Sequence, residues 1–145
     1  MSFLLDVNVL IALLDPTHVG HQTAHAWFGK EGYRSWATCP MTENGVVRIV
    51  SHPKYPNTPG SPAIVAASLA GFCKLPGHVF WADDISLTSS THIDPAQLTT
   101  SAQVTDSYLL ALAHANGGKL ATLDGRLTTK AVPGGKAALA FIGKS

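Results

Sequence analysis

Charge is the scarcest property of this chain. Only 13% of its 145 residues are Asp, Glu, Lys or Arg, about half of the roughly 25% usual in soluble domains, while 46% are hydrophobic. So few charges cannot cover a whole domain evenly, and large exposed apolar patches mark interaction sites. Part of the apolar surface is therefore expected to lie against a second copy of the chain or a partner. Cysteine is almost absent. Cys39 and Cys73 are far apart and fit no CxxC or zinc spacing, which argues against a disulfide framework or a structural zinc motif and fits a reducing cytoplasm. Long apolar runs are missing as well. The N-terminal MSFLLDVNVLIALLD is broken by Asp6 and Asn8 and has no basic leader or small-residue cleavage site. It falls far short of the ~20 apolar residues that span a bilayer. Membrane insertion is excluded on this reading, and the segment reads as a buried strand followed by a helix.

Basic residues are missing from Leu75 to Gly118, where the charges are Asp83, Asp84, Asp94 and Asp106. They return with Lys119, Arg126, Lys130, Lys136 and Lys144, against the single acid Asp124. Five bases against one acid leave about +4 at this end, enough for a phosphate-steering patch if the residues converge in space. A solvated tail and loop explains the run equally well. The net charge of +1 decides nothing about nucleic acid. The length fits one domain, residues 1–145, with a sizeable core.

The pattern of apolar runs and breakers predicts short strands alternating with helices. Ser2–Leu5, Arg34–Ala37, Val79–Ala82, Leu120–Leu123 and Leu139–Ile142 read as strands. Val7–Leu14, His18–Lys30, Pro40–Ser51, Ala63–Leu75 and Asp106–Ala115 read as helices, the last opened by Thr105 or a neighbour and ended by Asn116-Gly117-Gly118. Pro53–Pro62 is a loop, and Ser86–Thr100 is polar and unassigned. This alternation indicates an α/β sandwich with a central, mostly parallel β-sheet flanked by helices.

In open parallel sheets, ligand sites lie beyond the carboxyl ends of the strands. Asp6 directly follows FLL and Asp124 directly follows LATL, so both belong at that edge. Glu43 falls in the first turn of the Pro40 helix and Asp106 in the first turn of its own. A carboxylate near a helix N-terminus is often a cap or a dipole partner, worth about 0.3–1 kcal/mol. That reading suffices for Glu43 or Asp106 taken singly. It does not suffice for Asp6, an acid inside LLDVNVLIALL whose desolvation needs compensation. If the four converge, each pair ~4 Å apart at an effective dielectric of 20 repels by about 4 kcal/mol. Divalent cations relieve that repulsion, and hard oxygen donors suit Mg²⁺ or Mn²⁺. Carboxylates plus metal, without an evident nucleophile, point to phosphodiester hydrolysis by water.

Three segments carry a family resemblance. LLDVNVLIAL, MTENGVVRIVSHP and TDSYLLALAHANGGKLATLD resemble the three acidic motifs of the PIN-domain family, especially the VapC-type toxins of bacterial toxin-antitoxin pairs. The resemblance runs from Phe3 to Leu127, and the order and spacing of the motifs are more specific than any one of them. It implies a PIN-like sandwich and a metal-dependent endoribonuclease, usually homodimeric and held inactive by a cognate antitoxin. It also implies that Asp6, Glu43, Asp106 and Asp124 hold Mg²⁺ or Mn²⁺ directly or through water. Asn8 and Thr122 match polar positions beside those acids, where they orient ligands or waters. Many relatives carry another acid or an aromatic after TLD, whereas this chain has Gly125-Arg126-Leu127. One metal or two therefore stays open. Water attack would leave a 5′-phosphate and a 3′-hydroxyl.

Other features carry less. Arg126 is placed to contact RNA phosphate and Arg48 to position substrate or an acid, though a surface arginine and a structural ion pair explain them equally. His21 and His25 sit at i and i+4, but no HExxH glutamate accompanies them, so with His18 they read as a helix surface. Trp27, Phe28, Trp36 and Trp81 read as core or dimer contacts rather than base-stacking platforms. Ser107 has no evident histidine partner. An aspartyl-nucleophile phosphatase would need an acid where Asn8 stands. A non-catalytic RNA- or protein-binding PIN fold is disfavoured by the full set of acids, and a DNA nuclease of the same fold stays open, because the contacts that distinguish RNA are not visible in sequence.

Overall fold

The computed structural model describes residues 1–89 and 91–143. Five strands, β1 (Phe3–Leu5), β2 (Trp36–Thr38), β3 (His78–Phe80), β4 (Lys119–Thr122) and β5 (Leu139–Phe141), form one sheet in the order β3-β2-β1-β4-β5. Every pairing is parallel, with Phe3 opposite both Trp36 and Lys119, and Leu120 opposite Leu139. The sheet is thus wholly rather than mostly parallel.

Strands buried on both faces read as continuous apolar runs, and the two-residue period decides which side chain goes where. Phe3, Leu5, Trp36 and Ala121 point to one core, shared with α1 (Val7–Leu14), α2 (His21–Lys30), α3 (Pro40–Val50) and α4 (Pro62–Phe72). Leu4, Ala37 and Leu120 point to the other, filled by Leu109, Leu110, Leu112 and Ala113 of α5 (Val104–Ala115). An α/β/α sandwich results. Trp36 is fully buried, ringed by Phe28, Phe72 and His78 with centroids 4.6–5.5 Å away. Trp27 packs edge-on against Phe3, and Trp81 lies against the α5 core, so the aromatic side chains are packing groups here.

The helix ends explain where the sequence boundaries shift. Asp15 Oδ1 accepts from the Thr17 amide and His18 Nδ1 accepts from the Gly20 amide, turns that hold the chain out of helix until His21. Gly32–Arg34 forms a single 3₁₀ turn, which delays β2 to Trp36. β3 starts at His78 because the Gly77 carbonyl already accepts from Trp36 N–H, and Trp36 is in register with His78. α4 stops at Phe72, where Cys73 takes the C-cap. The histidines are not a plain helix surface. His21 Nδ1 and His25 Nε2 meet the carbonyls of Ala12 and Leu13 at 2.7 and 3.0 Å, occupying the open end of α1. In the Pro53–Pro62 loop, Tyr55 donates to Asp15 and Thr58 Oγ1 donates to the Val50 carbonyl. The unassigned stretch before α5 lies against that helix, with Ile93 buried and Asp94 N–H donating to Ala131. Among the described residues no helix is long and apolar enough to cross a membrane.

Candidate active site

β1 and β4 are adjacent and parallel, so their carboxyl ends open side by side. Asp6 follows β1 and caps α1. Its Oδ1 accepts from Val7 N–H at 2.7 Å and its Oδ2 from Thr122 Oγ1 at 2.8 Å. Thr122, the last residue of β4, is fully buried and uses its whole hydrogen-bonding capacity. It donates to Asp6 and accepts from Asn8 Nδ2 at 3.2 Å and Asp124 N–H at 3.1 Å. Asn8 Oδ1 in turn accepts from Leu123 N–H at 3.1 Å. Asp124 Oδ1 accepts from Arg126 N–H at 2.9 Å, which turns the chain away from the sheet. Asp6, Asn8, Thr122 and Asp124 are therefore one network spanning the β1–β4 seam.

Electrostatics brings Asp106 into the same group. The Asp6 carboxyl is pushed up to about 6, first by burial and then by the neighbouring charges of Asp106 and Asp124, against the lowering effect of its Thr122 and Val7 bonds. Burial and Asp124 also raise Asp106, in the first turn of α5. Three aspartates thus share one field at the carboxyl edge of the sheet, and two of them hold their protons more tightly than a free carboxyl. Hard oxygen donors that repel one another fit a divalent cation.

Glu43 behaves differently. It stands in the first turn of α3, which follows β2, but it is not among the charges that raise Asp6 or Asp106. Its Oε2 accepts from Thr38 Oγ1 at 2.7 Å, and the same hydroxyl lies 2.7 Å from His78 Nε2. Glu43, Cys73 and His78 bring one ligand atom each within 4.8 Å of one another. The cluster escapes sequence reading because its members come from three elements and no motif joins them. Asp83 is another unforeseen acid: its Oδ2 accepts from Met41 N–H at 2.9 Å, at the start of α3.

Lys119 and Arg126 do not share one end of the sheet. Lys119 begins β4, at the opposite end of the strand from the aspartates, while Arg126 is exposed beside Asp124. Lys144 lies outside the described residues. Arg48 is exposed near the end of α3, lining a groove with His52, Lys54 and Tyr55. Ser107 Oγ is buried and has no hydrogen-bond partner among the described residues, so no base is in place to activate it.

With this geometry, comparison with known proteins decides the family. Ribonuclease VapC44 of Mycobacterium tuberculosis (strain ATCC 25618 / H37Rv) is 46% identical over 134 residues, covering 92% of this chain and 94% of the relative. The chain belongs to the VapC ribonuclease family. Ribonuclease VapC39 of the same strain is 44% identical over 92% of this chain and 96% of its own length. Ribonuclease VapC38 is 38% identical over 88% and 89%. No family model matches the chain. Membership in the VapC family agrees with the all-parallel α/β sandwich and with the resemblance carried by the segments around Asp6, Glu43, Asp106 and Asp124.

Proposed function

We propose that this chain is a metal-dependent endoribonuclease, the toxin of a toxin-antitoxin pair, with its active centre at the β1–β4 seam. The observation that carries this reading is the grouping of Asp6, Asp106 and Asp124, in which burial and mutual charge raise Asp6 to about 6. In this reading the three aspartates hold Mg²⁺, with Mn²⁺ as a substitute, and Glu43, in the first turn of the helix that follows the adjoining strand β2, is the fourth acid. The cation, when bound, neutralises the carboxylates and the phosphodiester and makes water a stronger nucleophile at neutral pH. Thr122 and Asn8 keep the Asp6 carboxylate and the Asp124 backbone in place, so the acidic group is organised before substrate arrives. Hydrolysis forms a bond from the water oxygen to phosphorus and breaks the P–O3′ bond. The proton lost by water ends on O3′, which leaves a 5′-phosphate and a 3′-hydroxyl. Arg126, exposed beside Asp124, is positioned to meet a neighbouring phosphate, whereas Arg48 lies near the far end of α3 and would reach only a more distant part of the RNA.

The apolar surplus belongs to partners in this reading. Ile64 on α4, Leu75, Val79 and Phe80 at the β3 edge, and Phe141 on β5 are exposed, and they offer surface to a second copy and to a cognate antitoxin in the cytoplasm. The decisive test is cleavage of a mixed RNA pool by partner-free protein with Mg²⁺, Mn²⁺ or EDTA, beside Asp6→Asn. Cleavage should require the metal, fall at least about 100-fold in the variant and yield 5′-phosphate ends. Cutting that survives EDTA or Asp6→Asn overturns the assignment. A 2′,3′-cyclic phosphate product rejects direct hydrolysis, and cutting of DNA alone moves the substrate class.

A further inference from the structure

Between α3, α4 and the start of β3 lies an open groove of about 690 Å³ lined by Glu43, Asn44, Leu69, Cys73, Lys74 and His78. Three of these residues converge there. Glu43 comes from the first turn of α3, Cys73 from the C-cap of α4 and His78 from the first position of β3, with one ligand atom each within 4.8 Å of the others. All three are partly buried, so they are accessible from the groove without being loose surface groups. Cys73 forms no disulfide.

The carboxylate and the imidazole are already held. Thr38 Oγ1, fully buried at the end of β2, contacts Glu43 Oε2 and His78 Nε2, both at 2.7 Å. The His78 ring also packs against Trp36, tilted by 53° with centroids 4.6 Å apart. A hydroxyl has one proton, so when Thr38 donates to Glu43 the imidazole N–H donates to Thr38. The two ligand side chains are thereby oriented by a third group, the kind of outer support that metal-binding side chains use.

The donor set selects the ion. One thiolate, one imidazole and one carboxylate suit Zn²⁺, which takes S, N and O ligands tetrahedrally and often leaves a fourth position to water. A thiolate does not suit Mg²⁺ or Ca²⁺, which prefer all-oxygen shells. We propose that Glu43, Cys73 and His78 form a Zn²⁺-binding site in the α3–α4–β3 groove, different in donor chemistry from the aspartate group. On binding, the Cys73 thiol releases its proton to solvent, the imidazole keeps its N–H on Thr38 and offers the lone pair of its other ring nitrogen to the ion, and the carboxylate binds without redox change. Glu43 is the fourth acid of the nuclease reading, so Zn²⁺ in this groove engages a residue that the aspartate centre would otherwise use.

The test is binding to the full chain, with no RNA present, so its outcome is separate from that of the nuclease reading. Co²⁺, which reports thiolate ligation by a charge-transfer absorption, is titrated into the wild type, Cys73→Ser, His78→Gln, Cys39→Ser and Asp106→Asn, followed by displacement with Zn²⁺. The wild type should show a thiolate-to-cobalt band saturating at one equivalent and removed by Zn²⁺. Cys73→Ser should abolish the band, and His78→Gln should weaken affinity at least about 100-fold. Cys39→Ser and Asp106→Asn should leave both unchanged. Zn²⁺ should also raise the melting temperature of the wild type by more than that of Cys73→Ser, which keeps only the aspartate group, a reading that requires only that the variant be folded. A band that persists in Cys73→Ser, a band lost in Asp106→Asn, or no thiolate band in the wild type overturns the site.

Discussion

At the scale of single residues, Asp6 contributes a cost to folding. Its carboxyl sits at about 6 in the folded protein against an ordinary 3.8, with burial as the largest cause and Asp106 and Asp124 adding to it. A carboxyl raised on folding adds stability that is fully present below the unfolded value. That contribution is lost as pH rises through the folded value. Metal-free protein should therefore lose stability from this group between about pH 4 and pH 6, by up to about 3 kcal/mol for a shift of two units. Asp6→Asn removes the charge and keeps one acceptor oxygen, for the Val7 N–H that caps α1, while an amide NH2 replaces the oxygen that accepts from Thr122. In EDTA at pH 7 the variant should be the more stable protein to urea, and its advantage should shrink toward pH 4. A variant less stable than wild type at pH 7 would mean that the Thr122 and Val7 bonds to the charged form outweigh its desolvation. Asp6 was also the most legible acid in the sequence, because a carboxylate within an apolar run has no cheap explanation. Glu43 was less legible: its position in a first turn could be read, but the direction of its carboxylate depends on Thr38, which nothing local in the sequence indicates.

At the scale of elements, the strands and helices were readable because each is a short apolar run bounded by a breaker: Asp15-Pro16 after α1, Pro40 opening α3, Asn116-Gly117 after α5. What was not readable is how turns and distant segments trim those runs. His18 accepting from Gly20 shortens α2, and the register with Trp36 moves β3 to His78. The Asp83 bond to Met41 N–H crosses 42 residues. The same distance effect hid the Glu43–Cys73–His78 cluster. Gly77 makes the β3 dependence testable. Its φ is +88°, and a Cβ there would lie 2.4 Å from the Tyr33 carbonyl oxygen and 3.1 Å from that of Arg34. Gly77→Ala therefore combines left-handed strain with a clash against backbone that cannot swing away. A loss of about 3 kcal/mol or more is expected. Gly29 in α2 has nothing within 4 Å of its would-be Cβ, and Gly29→Ala should stabilise by roughly 0.5–1 kcal/mol. Chemical denaturation of the two variants side by side checks both signs, and equal stabilities would refute the geometric account of Gly77.

At the scale of the whole molecule, the fold and the site pull in opposite directions. The sheet order sets β1 beside β4, which gathers Asp6, Asp106 and Asp124 at one edge and raises the energy of the metal-free protein. A divalent cation that binds the folded aspartates but not the unfolded chain returns stability as RT ln(1 + [L]/Kd), about 2.7 kcal/mol at one hundred times Kd. Mg²⁺ or Mn²⁺ should therefore raise the melting temperature at pH 7, and Asp106→Asn or Asp124→Asn should reduce that gain. Protons compete for the same oxygens. Because Asp6 takes up its proton near pH 6, the metal-induced rise should be largest above pH 7 and should fade as pH drops toward 5. It should be small in Asp6→Asn at every pH, since that variant has neither the charge to neutralise nor the proton to displace. Differential scanning across this pH range, with and without Mn²⁺, reads all three expectations. A metal response that is flat with pH and unchanged in the aspartate variants would place the responsible cation elsewhere on the chain.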